Sequence, residues 1–281
     1  MLGDDGNLMQ RTGTLFRYSV WDGRLGRSNG WCLRFVLIRL TDPFYGGTLH
    51  TIALMEEFTI QNEKEIIDLT LGCQHGVFRG VSKSSDKLIP RIGRDIPHEK
   101  ATELLEYEQR LLWMFRFEAM PFLKRANYTD WELLAIAQHH GLQTRLLDWT
   151  RNPLVALYFA VKEDKPHPAA VYACAGVGEM TRDEDDPFNP RGNYWFYPPH
   201  VTPRIVAQDG LFSIQQDPTA EFAHSSLQIY LIPTELRQRL RVLLNKWGIH
   251  HAKLFPGLDG IADRLDKNFG IGDRQKLCET K

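Results

Sequence analysis

Residues 138–160 read QHHGLQTRLLDWTRNPLVALYFA. Inside these positions a helix must end, a strand must pass and a second helix must begin. Gly141 falls where a left-handed helix cap is expected after His140. Asn152-Pro153 opens the next helix, with Asn as N-cap and Pro at the first helical position. Between them, residues 144–148 are expected to form a strand. Its alternation sets Arg145, Leu147 and Trp149 on one face and Thr144, Leu146, Asp148 and Thr150 on the other. Polar Gln138, His139, Thr144, Arg145, Asp148 and Trp149 are threaded through apolar neighbours. Burying such groups unpaired costs about 1–3 kcal/mol each, so the stretch is either a closed hydrogen-bonded network or the lining of a site. The face of choice is Asp148–Thr150, beside the N-terminal amides of the Asn152 helix, with Arg145 and Trp149 as the wall behind it. Those amides suit an anion, unless Asp148 itself satisfies them.

Working outward, residues 76–81 form a short glycine-bounded strand with Val77, Arg79 and Val81 on one face. A guanidinium between two valines wants an anion or a set of carbonyls. Residues 99–119 have helical periodicity, with Glu108 embedded in the apolar stripe; it reads as a boundary residue reaching solvent, and Arg79 is a candidate partner. Thr129 and Glu132 make a capping box for the helix that runs to His140. Upstream, residues 31–40 read as a strand and 49–67 as a helix. Downstream, 169–175, 204–207, 211–214 and 227–232 read as strands, and Pro233 opens an amphipathic helix that stops at Gly248. Residues 180–203 read as a long loop with an acidic run at 183–186 and many aromatics, suited to cover a site and stack on a ring. If Arg79, Glu108, Arg145 and Asp148 instead formed one buried ion network, they would be a scaffold and not a site.

The expected class is α+β: a single domain of short mixed strands flanked by helices. Its divisions are a variable N-terminal arm at 1–50, the main domain at 51–270 and a tail at 271–281. A net charge of −1 over 281 residues argues against a general electrostatic grip on nucleic acid or anionic membrane and leaves room only for a local basic face. No apolar run is long enough to span a membrane, and the N-terminus has no secretory h-region. The cysteines, Cys32, Cys73, Cys174 and Cys278, are far apart, as suits reduced thiols in a cytoplasmic protein. No metal is expected: adjacent His139 and His140 point about 100° apart on a helix and cannot share an ion. P-loop, Rossmann, zinc-protease and α/β-hydrolase motifs are missing from the sequence.

Phe78-Arg79-Gly80, a helix bearing Glu108, and then Gln138-His139-x-Gly141-Leu-x-Thr144-Arg145-Leu-Leu-Asp148-Trp149-Thr150-x-x-Pro153 together resemble the FRG domain. The likeness continues through Pro203-Arg204-x-x-x-Gln208-x-Gly210-x-Phe212 and the turn at residues 254–260. The order of these elements also resembles ADP-ribosyltransferases of the Arg–Ser–Glu type. That second resemblance implies an ADP-ribosyltransferase-like fold, NAD as substrate, and a nucleotide-binding transferase serving as a toxin or defence effector on a protein or nucleic-acid acceptor. Arg79 would hold the NAD phosphate or ribose, and Thr150 would orient it. The late strand offers Arg204 and Gln208 but no Glu, so Asp148 or Glu108 must supply the charge. Catalytic roles therefore go to Arg79, Asp148, Thr150 and Gln208. Gln138, His139, Thr144, Arg145, Trp149 and Arg204 are the ligand-binding set. A non-catalytic module that binds a nucleotide or nucleic acid is the alternative.

Overall fold

The computed structural model describes residues 25–28, 31–40, 51–72, 76–125, 127–175, 185–190, 192, 194–199 and 202–269. The first 24 residues of the expected arm, the start of the acidic run and the tail lie outside them. The strands are β1 (Leu25–Ser28), β2 (Trp31–Leu40), β3 (Thr51–Thr59), β4 (Val77–Val81), β5 (Leu147–Thr150), β6 (Ala169–Cys174), β7 (Tyr194–Phe196), β8 (Gly210–Ile214) and β9 (Leu227–Ile232). They form one sheet in the order β1-β2-β3-β9-β6-β4-β5-β8-β7. Among the described strands only the β3–β9 pair is parallel. The helices are α1 (Ile66–Gly72), α2 (Ala101–Ala119), α3 (Asp130–His139), α4 (Pro153–Val161), α5 (Pro203–Gln208), α6 (Arg237–Lys246), α7 (His251–Leu254) and α8 (Leu258–Phe269). The fold is α+β on a single sheet. No helix among the described residues is long and apolar enough to cross a membrane.

Register assigns the two faces. Phe78 lies beside Thr150 and Ala173, and Asp148 beside Phe212, so these share one face. Phe78, Val171 and Tyr230 pack there against α4 and α6. Leu147, Trp149 and Tyr172 occupy the other face with Trp195 and Phe222. A third cluster joins α2 and α3 to Leu146, Phe196 and Phe212 at the β7 end. Gly80 sets the distance between β4 and α4. A Cβ there would stand 1.8 Å from the Ala156 carbonyl oxygen, so only glycine lets the helix backbone lie directly on the strand.

Fully buried Arg237 ties three chain segments together. Its Nη1 donates to the Ser82 and His167 carbonyls at 2.9 and 3.0 Å, and its Nη2 to the Glu163 carbonyl at 2.8 Å.

Several expected elements differ. Residues 51–59 are a strand and not part of a helix, because the stretch pairs with β2 along its length and with β9. The helix formers Met55, Glu56 and Glu57 give way to sheet pairing there, and Gln228 Nε2 donates to Glu56 Oε2 at 2.8 Å. Residues 204–207 belong to helix α5, not to a strand. Thr202 Oγ1 caps the Ile205 amide, Pro203 takes the first turn, and Asp209 ends the helix at φ 47°. The strand expected at 144–148 begins at Leu147 and runs to Thr150. The aromatics of the 180–203 stretch are core residues and not a stacking lid. Tyr194–Phe196 is an edge strand, and Phe188, Trp195 and Phe196 are all buried. Trp195 meets Trp149 edge-on at 5.3 Å, and Phe196 meets Trp131 at 5.0 Å.

Candidate functional site

Strands β4 and β5 pair only at Phe78 and Thr150. Beyond that pair the ladder stops, and the Asp148 carbonyl is met by a side chain. Arg79 Nη1 donates to it at 2.6 Å and stands 3.6 Å from Asp148 Oδ2. The opening is a cavity of about 170 Å³ lined by Phe78, Arg79, Gly80, Asp148, Trp149, Thr150, Ala156, Phe159, Arg204 and Gln208. A second pocket of about 50 Å³ adjoins it, sharing Asp148, Trp149, Arg204 and Gln208 and adding Gln138 and His139.

The expected ion network divides in two. Glu108 and Arg145 are a closed buried pair, each side chain 2% exposed. Arg145 Nε and Nη2 grip the Glu108 carboxylate, at 2.7 Å for the shorter contact, while Nη1 donates to the Pro187 carbonyl at 2.8 Å. Glu108 thus faces neither solvent nor Arg79. Arg145 precedes the strand, so alternation does not set it beside Trp149. Its guanidinium stacks over Phe188 instead, and it lines neither pocket. Arg79 and Asp148 form the other half, in the cleft.

Each remaining residue has a definite hold. Gln138 Nε2 donates to Asp148 Oδ1 at 2.7 Å, and Thr144 Oγ1 donates to Gln138 Oε1. Thr144 therefore acts at one remove, positioning Gln138. Thr150 Oγ1 donates to the Gln208 carbonyl at 2.6 Å and accepts from the Asn152 amide at 3.0 Å. It fixes the strand end to α5 and makes no hydrogen bond to Arg79. The N-terminus of α4 is capped by Asn152, whose side chain accepts from the Leu154 amide at 3.0 Å, so Asp148 is not the cap. Trp149 Nε1 donates to Ser213 Oγ at 2.9 Å, on the far side of the sheet. Gln208 Nε2 is anchored on the Leu254 carbonyl at 3.0 Å.

Charge in the cleft is unbalanced. Arg79 and Arg204 stand against Asp148, the one carboxylate of either lining among the described residues. Burial is the main influence lowering the proton affinity of both guanidiniums, with Asp148 opposing it. Both stay charged, since an arginine does not deprotonate in a protein. Arg79 Nε is buried and has no hydrogen-bond partner among the described residues. His139 is pushed below its ordinary value by burial first, then by His140 and Arg204. It is neutral at pH 7 and adds no third charge. The Asp148 side chain is 63% exposed and sits at the mouth.

Three further residues complete the cleft. Phe255 carries the Arg204 guanidinium 4.5 Å above its ring. Phe159 and Ala156 of α4 supply the apolar wall. All three lie in motif segments, Ala156 and Phe159 just after Pro153 and Phe255 in the 254–260 turn, a visible signal that assigns them no role by itself.

Residues 74–169 match the model of the FRG domain family. The chain carries an FRG domain. Its three name residues each have a physical task here. Phe78 fills the α4 side of the core, Arg79 bridges the split between β4 and β5, and Gly80 admits the α4 backbone. The matched FRG segment holds Arg79, Gln138, His139, Asp148 and Thr150, while Arg204, Gln208 and Phe255 come from beyond it. No curated protein and no solved structure matches the chain.

Proposed function

We propose that the cleft binds the phosphate-bearing part of a nucleotide, with NAD as substrate and ADP-ribosyl transfer to a macromolecule as the reaction. One observation carries this reading: two desolvated guanidiniums face a single carboxylate, and Arg79 keeps a buried donor unused. A buried cation without a full set of acceptors is costly, and an anion supplies both charge and acceptors. Planar guanidinium forks suit phosphate oxygens. At about 170 Å³ the cavity falls below the roughly 300 Å³ at which whole-ligand pockets begin. It takes one phosphate and a ring or sugar, and the rest of a dinucleotide lies along the mouth.

In the transfer, the bond between nicotinamide and the ribose C1′ breaks, and nicotinamide leaves with the electron pair. An oxygen or nitrogen of the acceptor bonds to C1′, and its proton passes to the Asp148 carboxylate. Asp148 has the right exposure for that part, and Gln138 fixes its orientation. Arg79 and Arg204 hold the diphosphate and keep the sugar in place.

Binding without transfer is the second reading. It is favoured by the prior engagement of Asp148, whose Oδ1 accepts from Gln138 and whose Oδ2 faces Arg79. Calorimetric titration with NAD, together with nicotinamide release from labelled NAD in the presence of protein and nucleic-acid acceptors, tests both. Under the transfer reading the wild type binds and releases nicotinamide. Asp148→Asn then keeps binding but loses release, and Arg79→Lys loses binding by tenfold or more. Binding with no release under any acceptor selects the second reading. No binding of NAD, ADP-ribose or pyrophosphate overturns both.

A further inference from the structure

Helix α2 buries Leu104, Glu108 and Leu112 on one side and leaves an aromatic face in water on the other. Trp113 is 65% exposed and Phe117 70%, and in the 3-10 turn that follows the helix Met120 is 60% and Phe122 86% exposed. Trp113 and Phe117, one turn apart, stack with centroids 6.0 Å apart and planes 11° from parallel. Tyr107 and Met114 flank them at 45% and 46% exposure. Taking about 200 Å² per aromatic side chain, the four exposed rings alone present about 500 Å². Monomers rarely leave more than a few hundred contiguous Å² of apolar surface in water. With the two methionines added, the face approaches the roughly 800 Å² that each partner brings to a stable interface.

The spacing says what covers it. Glu106, Arg110, Trp113, Phe117 and Met120 follow one another at intervals of four and three. That is a seam of period 3.5, which meets another helix side by side. We propose that this face pairs with α2 of a second copy of the chain, antiparallel about a two-fold axis passing near Phe115. Seam positions then interleave: Trp113 packs on Phe117 of the other copy, and Arg110 lies over Met120. Lys124 follows past the 3-10 turn at Met120–Phe122 and the extended Leu123, at the end that the Glu106 of an antiparallel copy meets, once on each side of the axis. The seam is thus acidic toward its N-terminal end and basic beyond its C-terminal end, and an antiparallel, self-complementary interface needs that polarity. A parallel pairing would set Glu106 against Glu106 and Lys124 against Lys124.

Sedimentation velocity of the full chain across the micromolar range is the test, with circular dichroism as the folding control. The wild type sediments as a dimer, and Phe117→Glu as a monomer with unchanged helicity. Glu106→Lys raises the dimer dissociation constant by threefold or more, and Glu106→Lys with Lys124→Glu restores it. The proposal is overturned by a wild type that stays monomeric at 100 µM, by a dimer indifferent to Phe117→Glu, or by a charge reversal that fails to rescue. Because every substituted side chain is exposed, loss of association cannot be mistaken for loss of folding when the spectra coincide.

Discussion

Replacing Arg145 with methionine separates scaffold from site more cleanly than any change in the cleft. Its guanidinium and the Glu108 carboxylate are both 2% exposed. Removing the cation leaves a carboxylate that water does not reach and strips the Pro187 carbonyl of its donor. Breaking a buried pair from one side costs about 3–5 kcal/mol. At a few degrees per kcal/mol for a domain of this size, the melting temperature should fall by on the order of 10 °C. Glu108→Leu combined with Arg145→Met should recover at least half of that loss, since no buried charge remains. The pH dependence carries a sign. Burial already holds Glu108 above its ordinary carboxylate value, with Arg145 pulling it down. Without Arg145 the carboxyl binds its proton still more tightly in the folded state than in the unfolded one. The cost of Arg145→Met is therefore smallest in acid, and it grows as pH rises from the usual carboxylate value through the raised one. Urea unfolding of the single and double variants at pH 5 and pH 8 measures all of this. A single-variant loss under about 1 kcal/mol, or a loss equal at the two pH values, would refute the reasoning.

Other outcomes follow from the same geometry. Gly80→Ala drives a methyl into the Ala156 carbonyl, and because main chain cannot step aside cheaply, the variant should lose at least 2–3 kcal/mol, on the order seen for overpacked cores, or fail to accumulate in soluble form. Thr129→Ala removes the cap from the Glu132 amide and should cost about 1 kcal/mol by denaturant titration, with nucleotide binding unchanged. His139, His224 and His250 are all held below the ordinary histidine value, by burial first. The unfolded chain then binds more protons, so stability is full above pH 6.5 and declines as pH falls through the lowered values. A urea midpoint that rises between pH 7 and pH 5.5 contradicts that assignment.

Local signals carried much of the fold. Thr129 with Glu132, Asn152 with Pro153, and Gly141 at φ 94° all act as their residue types dictate. Thr202-Pro203 carries the same signature as Asn152-Pro153, and Arg204 and Gln208 have the spacing of one helix face. Helix α5 was legible there, but the expectation of a late strand displaced it. β3 was not legible, because its Met55-Glu56-Glu57 segment favours a helix until β2 and β9 offer pairing partners. Nor could the sequence pair Glu108 with Arg145, 37 positions away, rather than with Arg79. The polar residues of 138–160 were visible as a group. Which of them face a cleft depends on where β5 begins, and a shift of strand start from 144 to 147 moved Arg145 from the site into the scaffold.

Arg237 has a consequence for how this protein can vary over generations. A lesion at Arg145 has a natural second-site suppressor, because the charge it pairs with belongs to a side chain, Glu108, that can itself be exchanged. The acceptors of Arg237 are the main-chain carbonyls of Ser82, Glu163 and His167, which no codon change removes. Each one left bare costs about 1–3 kcal/mol. A selection for revertants of Arg237→Met should therefore return arginine at that position and nothing compensating elsewhere.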